Sequence, residues 1–406
     1  MKYEDRGNVR RAAIVSPLRT PVGTFGGSLK GVAVEDLAAS VVMEVVARSG
    51  IDPERIDDVA MAQSYANSET PCVGRWVALH AGMPLALPGF QLDRRCGGGL
   101  QAIVTAAMMV QTGAADVVIA GGVESMSRIE HYSTDIRWGK RAGSAQLYDR
   151  LDRGRERSQP AHRFGPISGM VETADTLAAR YSVTREAADE FAAESHRRAH
   201  EAWQAGYFDD EVVPVSVPQR KGPDVVFRAD EGIRPSTTAG ALSSLRPIRP
   251  DGVVTAGNSC QQNDAAAACL VVAEDKLSNL GLKPAGLLVD WTAVGCDPTI
   301  MGIGPAPAVR KLLARTGKRL EEIDLIEINE AFACQVLAVL KELKWDDRAR
   351  LNVNGSGISL GHPIAATGVR IMTTMLHELQ RRGGRYGLET MCIGGGQGMA
   401  ALFEAA

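Results

Sequence analysis

No two of the seven cysteines form a C-x-x-C pair, and their number is odd. Both facts speak against a disulfide scaffold and a zinc site; no metal is expected, and a reducing cytoplasmic setting is. There is no apolar run long enough to span a bilayer, so no membrane partner is expected. Lys and Arg number 45 against 48 Asp and Glu, a formal net charge of -3. That balance gives neither nucleic acid nor an anionic surface a reason to bind. Met1 to Gly7 has no apolar leader core, Glu4 and Asp5 argue against a transit peptide, and the closing Glu404-Ala-Ala is not a Ser-Lys-Leu address. Nucleotide loops are missing too. Gly355-Ser-Gly-Ile-Ser-Leu-Gly361 is not G-x-G-x-x-G and no G-K-[ST] follows it, while Gly394-Gly-Gly-Gln-Gly398 precedes no helix and ribose-binding acid.

The 406 residues instead hold short apolar strands alternating with helices, enough for two or three domains. Ala12 to Ser16 reads as a strand, and Val34 to Ser49 as a helix stopped by Gly50. A strand at Val59 to Met61, a helix over about Cys72 to Ala81, a strand near Phe90, a helix from Cys96 and a strand from Asp116 to Gly122 follow. Alternation of this kind predicts α/β layers around a mostly parallel sheet, repeated from about Ala285 to a closing strand before Gly394. An internal repeat supports two copies: Gly50, Glu54, Ile56 and Asp57 match Gly317, Glu321, Ile323 and Asp324 at an offset of 267 residues. Carried forward, that offset sets Cys96 opposite Pro363, beside His362. A pseudo-twofold would then present a cysteine turn and a histidine turn at equivalent places.

Three stretches are candidates for chemistry. Asn352-Val-Asn-Gly-Ser-Gly-Ile-Ser-Leu-Gly-His362-Pro reads as strand, tight turn and helix, with Pro363 at the first helical position. Asp93-Arg-Arg-Cys96-Gly-Gly-Gly places a thiol at a helix start, where the dipole favours an anion and lowers a thiol pKa, with the glycines allowing a substrate near the backbone. Cys392-Ile-Gly-Gly-Gly-Gln-Gly398 is a second cysteine running into glycines. Taken singly, the histidine reads as structural and each cysteine as a small buried hydrophobe.

Residues from about 127 to 254 differ in kind. Arg137, Arg141, Arg150, Arg153, Arg155, Arg157 and Arg163 crowd among polar residues, and Thr184 to Trp203 is an amphipathic helix with Ala188, Phe191, Ser195 and Ala199 on one stripe. The arginines read either as a solvated or subunit-facing surface or as contacts for a polyphosphate.

With Cys96, His362 and Cys392 in hand, the chain resembles the thiolase family from end to end. Further motifs in the family's order are Ala120-Gly-Gly-Val-Glu-Ser-Met-Ser127, Val254-Thr-Ala-Gly-Asn258 with Asn263-Asp264, Met301-Gly-Ile-Gly-Pro305 and Asn329-Glu-Ala-Phe-Ala333. The resemblance implies a thiolase-like α/β fold, two pseudo-twofold-related repeats, each with a five-stranded core, in a layered αβαβα arrangement with an inserted loop domain. The expected boundaries are 1–128 with 255–283, then 129–254, then 284–406. It implies reversible cleavage of 3-ketoacyl-CoA by CoA to acetyl-CoA and a shortened acyl-CoA, or the reverse condensation, in a homodimer or homotetramer. CoA and acyl-CoA are substrates, and no permanently bound cofactor is expected. Cys96 would take the acyl group with His362 drawing its proton, and Cys392 would serve the acetyl α-carbon as acid and base. Asn329, through a water, would form one oxyanion hole with His362; the N–H groups of Cys96 and Gly394 would form the other. Met170, Cys260, Met301 and Phe332 are expected to meet substrate or CoA.

The chain departs from the family pattern at Gly98, where serine is frequent, at Cys260, where a pantetheine-contacting serine is common, and at Gly169, where histidine is. Two alternatives are a synthase-type condensing enzyme of the same superfamily, which would lack the second reactive cysteine, and a thiolase-like protein that binds acyl-CoA or lipid without turnover.

Overall fold

The computed structural model describes residues 9–167 and 169–406; the amino-terminal stretch read above for leader signals lies outside the described residues. The first half runs β1 (Ala12–Arg19), β2 (Gly23–Thr24), α1 (Val34–Ser49), β3 (Asp58–Ala62), α2 (Val73–His80), β4 (Phe90–Leu92), α3 (Gly98–Thr112) and β5 (Val117–Ser125). Two small hairpins and five helices follow: β6 (His131–Tyr132), β7 (Tyr148–Asp149), α4 (Arg150–Glu156), α5 (Ala161–Phe164), α6 (Met170–Arg180), α7 (Arg185–Gln204), β8 (Val215–Val217), β9 (Val225–Phe227) and α8 (Ala239–Ser243). The chain then returns as β10 (Asn263–Ala273) and α9 (Leu277–Leu280). The second half is β11 (Gly286–Gly295), α10 (Pro305–Thr316), β12 (Leu325–Ile328), α11 (Ala333–Leu343), α12 (Thr367–Arg382), β13 (Tyr386–Ile393) and β14 (Gln397–Ala405). Among the described residues no helix is long and apolar enough to cross a membrane.

Local sequence accounts for the helix ends. Gly50, Gly113, Gly317 and Gly383 close α1, α3, α10 and α12 in the left-handed region that a Cβ disfavours. The Thr184 hydroxyl accepts from Ala187 N to open α7, and Ala188, Phe191, Ser195 and Ala199 are buried on its inner face.

One sheet unites the halves, in the order β12-β13-β14-β11-β1-β10-β5-β3-β4, with β2 paired to β10. The expectation of a mostly parallel sheet is not met. Of the strand pairs among the described residues of this sheet, only β3–β4, β3–β5 and β12–β13 are parallel. Parallel neighbours require a crossover, usually helical, and the central strands are joined otherwise: β13 and β14 form a hairpin, and β10 arrives between β1 and β5 after the long middle segment. The strand after Gly394, absent from the sequence reading, is the closing arm of that hairpin.

The topology is pseudo-twofold about the antiparallel β1–β11 pair. Reading outward, β10, β5 and β3 answer to β14, β13 and β12, and where β4 flanks β3, a single bridge joins Leu351 to Ile326. Alternate strand residues face opposite layers. Val59, Met61, Val117 and Ile119 pack with α1 and α2, whereas Ala60, Ala62, Val118 and Ala120 turn to α3 and α12. In the second half Met391, Met399, Ala401 and Phe403 face that same central pair, while Leu388, Ala400 and Leu402 face α10, α11 and the middle segment's α6 and α7. The layers are therefore α, β, α, β, α, with α3 and α12 innermost.

Glycine sets how closely these two helices approach. A Cβ on Gly368 would lie 2.3 Å from Leu100 N, and one on Gly99 would lie 2.7 Å from Ala365 O. Gly368→Ala should therefore destabilise the protein by about 1–3 kcal/mol through overpacking, whereas Gly31→Ala, with open space around its Cβ, should have little effect. Urea titration of both variants checks this; equal midpoints would show that the helix pair tolerates separation.

Candidate active site

Each central helix is preceded by one tight turn of 3-10 helix. Arg95–Gly97 leads into α3, and Ile364–Ala366 leads into α12. Pro363 is thus the residue before a short turn, and α12 begins only at Thr367. Helix starts at Gly98 and Thr367 also move the equivalence by two residues, so Cys96 falls opposite Ala365 and His362 lies just before the turn.

Cys96 is partly buried. The preceding Arg95 holds φ +50, and its N–H donates to Asp93 Oδ1 at 2.7 Å. The three following glycines serve packing rather than substrate approach. A Cβ on Gly97 would meet Ile393 Cδ1 at 2.6 Å, and one on Gly98 would meet Ala62 at 3.1 Å. A serine hydroxyl at position 98 would thus start from a Cβ pressed between Ala62 and Ala365. The expected lowered thiol pKa is also overturned. Burial pushes Cys96 up, against the opposing pull of the Gly394 N–H, Arg95 and Cys96's own N–H. A helix start favours a thiolate, but desolvation here is the larger effect.

His362 ends a buried loop. Gly361, at φ +112, lies where any Cβ would strike Val22 and Asn263. The His362 N–H donates to Asn263 Oδ1 at 2.8 Å, and Nδ1 is 2.7 Å from the Thr367 hydroxyl. Burial, with the positive charge of Arg370 behind it, lowers its pKa to about 3. The imidazole is therefore neutral at neutral pH. Asn329, fully buried at the end of β12, brings Nδ2 to 3.4 and 3.5 Å from the two ring nitrogens. Its Oδ1 has no hydrogen-bond partner among the described residues.

Cys392, on β13, is buried, and burial followed by the neighbouring Cys96, Cys260 and Cys296 raises its pKa well above the usual thiol value. Gly394 follows in the turn to β14, and a Cβ there would approach nothing nearer than Met170 Sδ at 3.7 Å. Cys96, His362, Cys392 and Gly394 all line one cavity of about 490 Å³, together with Met170, Cys260, Met301 and Phe332. Asn329 stands behind His362 instead of in the wall. Burial drives the Cys260 thiol up to about 12.

The arginines divide. Arg155 lines the cavity, as do Arg95 and Arg249 from outside the crowded run. Arg150 pairs with Glu130, Arg153 lies over the Tyr148 ring, and Arg163 lies over Phe164. Sequence reasoning missed Tyr65 and Ile364 in the wall, and Thr367 and Arg370 behind the histidine. Arg370, a charge on the buried face of α12, was the one visible signal.

Residues 12–275 match the thiolase N-terminal domain and 282–405 the thiolase C-terminal domain. The chain belongs to the thiolase family. It is 46% identical to the beta-ketothiolase BktB of Cupriavidus necator, covering 97% of this chain and 99% of that one. It is 44% identical to an acetyl-CoA acetyltransferase of Chromobacterium violaceum over the same shares. Among solved structures, the Bacillus anthracis acetyl-CoA acetyltransferase superposes with a TM-score of 0.94 at 44% identity, covering 98% of this chain and 99% of that chain. Human mitochondrial 3-ketoacyl-CoA thiolase in complex with CoA gives 0.92 at 37% identity, covering 98% of each. As a thiolase, the protein is an acyltransferase acting on acyl-CoA.

Resting Cys96 is thus a neutral thiol. Its alkylation by iodoacetamide, mapped by peptide mass, should accelerate about tenfold per pH unit through neutrality, following the thiolate fraction. A rate already level at about pH 7 would reveal a standing thiolate.

Proposed function

We propose that Cys96 carries the acyl group, with His362 as its base and Cys392 as the acid and base for the acetyl carbon. The convergence of these three side chains on one cavity carries the reading. In thiolysis, His362 takes the Cys96 proton while Sγ attacks the 3-keto carbon. The C2–C3 bond breaks, the acyl group stays on sulfur as a thioester, and the acetyl-CoA enolate takes a proton at C2 from Cys392. CoA thiol then attacks the thioester, giving its proton to the Cys392 thiolate, while Cys96 leaves and takes back the proton held by His362. Condensation runs the sequence backwards.

Each reactive group rests in the protonation state its role starts from, while the same burial makes the imidazole a weak base and the thiol a weak acid until substrate binds. Neutral His362 can accept a proton, and the protonated Cys392 thiol can give one. The Gly394 and Cys96 N–H groups already act on the Cys96 sulfur, which supports their serving a thioester oxygen beside it. The unpartnered carboxamide oxygen of Asn329 beside His362 supports a bound water there as the second oxyanion donor. Met170, Cys260, Met301 and Phe332 would flank the pantetheine arm, with Arg95, Arg155 and Arg249 toward the polyphosphate. A homodimer or homotetramer is supported by the exposed apolar side chains Leu85, Trp138 and Leu147, the tryptophan 96% exposed.

Substitution separates the two cysteines. Cys392→Ala should still acquire an acyl group on Cys96 from a simple acyl-CoA, seen as intact mass, while thiolysis and condensation fall by about 10²-fold or more. Cys96→Ala should gain no adduct. An adduct surviving in Cys96→Ala would reverse the assignment.

A further inference from the structure

Glu124, in the Ala120–Ser127 motif, was given no role by the sequence. It closes β5 and is 1% exposed. Its carboxylate accepts three backbone N–H groups from two separate loops. Oε2 takes Ser64 N at 3.2 Å and Ala365 N at 3.3 Å, and Oε1 takes Tyr65 N at 3.2 Å. Tyr65 is part of the cavity wall, and Ala365 belongs to the turn that follows His362. One buried carboxylate therefore holds the histidine turn against the β3 loop, next to the nucleophile.

The pseudo-twofold shows how unusual this is. Val118 pairs with Asp58 as Gly387 pairs with Leu325, which sets Glu124 opposite Ile393 and Cys96 opposite Ala365. Ile393 packs its side chain against Gly97 under the cysteine turn. Glu124 performs the equivalent support under the histidine turn, but with hydrogen bonds. An apolar residue suffices for the first support. A buried carboxylate at the second, where the equivalent position is apolar, needs a reason.

We propose that Glu124 is a positioning residue for thiolase turnover, its ionised carboxylate fixing the His362 turn at the distance from Cys96 that proton transfer requires. The proposal rests on the reading of Cys96 and His362 given above. Only the ionised form offers acceptors on both oxygens; protonation turns one of them into a donor. Burial moves the carboxyl up to about 7, against the three N–H groups, with Asp93 adding to the rise. The titratable groups that act on it are Tyr65 from the β3 loop and Asp93 and Cys96 from the cysteine turn, and His362 precedes the Ala365 turn that Glu124 binds. On β10 the neighbour is Asp264, whose carboxylate is bonded to Ser127. Among these, His362 at about 3 and Tyr65 at about 12 titrate far from neutrality.

The test is the pH profile of kcat for thiolysis in wild type, Glu124→Gln and Glu124→Asp, with circular dichroism to verify folding. Wild-type kcat should climb through about pH 7 as the carboxyl ionises. In Glu124→Gln that limb should vanish, with kcat lower by about ten- to a hundredfold at alkaline pH and KM for CoA little changed, as expected for a misplaced catalytic group. Glu124→Asp keeps the charge but falls one methylene short of the loops, so it should retain a limb while losing kcat. If Glu124→Gln does not fold, the Asp variant decides alone, and wild-type kcat in it overturns the proposal. Wild-type kcat in Glu124→Gln, or an unchanged limb near pH 7, overturns it equally. Absence of turnover in wild type would instead remove the functional reading beneath it.

Discussion

The close approach of α3 and α12 is the constraint on which the rest depends. Gly99 and Gly368 leave no room for a Cβ between these helices, and the β1–β11 pair fixes the two halves edge to edge. Because the turn before α3 carries Cys96 and the turn before α12 follows His362, the helix contact also sets the separation of the proposed nucleophile and base. Packing and chemistry share one set of atoms, so a methyl group at position 368 is a change to the active site as well as to the core. Duplication explains how such an arrangement arises from one chain. Each copy supplies a strand, a turn and a central helix, and each strand end supplies a support for the opposite turn.

Desolvation then fixes the protonation states. In the same cavity it raises two thiols and lowers an imidazole, so every reactive group is held in its uncharged form. A thiolate–imidazolium pair would place two opposite charges where burial already disfavours each, and the Arg370 charge behind His362 further disfavours the imidazolium. In the proposed mechanism the proton therefore moves when a substrate carbonyl, placed against the Gly394 and Cys96 N–H groups, makes the sulfur's attack favourable. Charge appears only where donors await it.

Much of this was legible in the sequence. Val34–Ser49 emerged as a helix over the range read from its apolar spacing and terminal Gly50, and the repeat beginning at Gly50 and Gly317 marked equivalent strands β3 and β12. Cys96, His362, Cys392, Gly394, Met170, Cys260, Met301 and Phe332 of the cavity wall were found through their motifs, whereas Tyr65 and Ile364 were not. What could not be read were quantities set by three-dimensional burial. A thiol at a helix start looks activated in one dimension, and only the surrounding walls show that burial prevails. The parallel-sheet expectation failed for a related reason, since a helix between strands in sequence does not make them neighbours. Arg370 and Glu124 were visible as charges in apolar segments, but their partners come from elements far away in the chain.

The central claim is that nucleophile and base rest uncharged. Histidine-selective 15N NMR tests it most directly, with His362 identified by the signal lost in His362→Ala. The account predicts nitrogen shifts of a neutral imidazole for His362 at about pH 7 and still at about pH 5, below the usual histidine pKa of about 6.5. Imidazolium shifts at about pH 7, disappearing in Cys96→Ala, would show a preformed ion pair and contradict it.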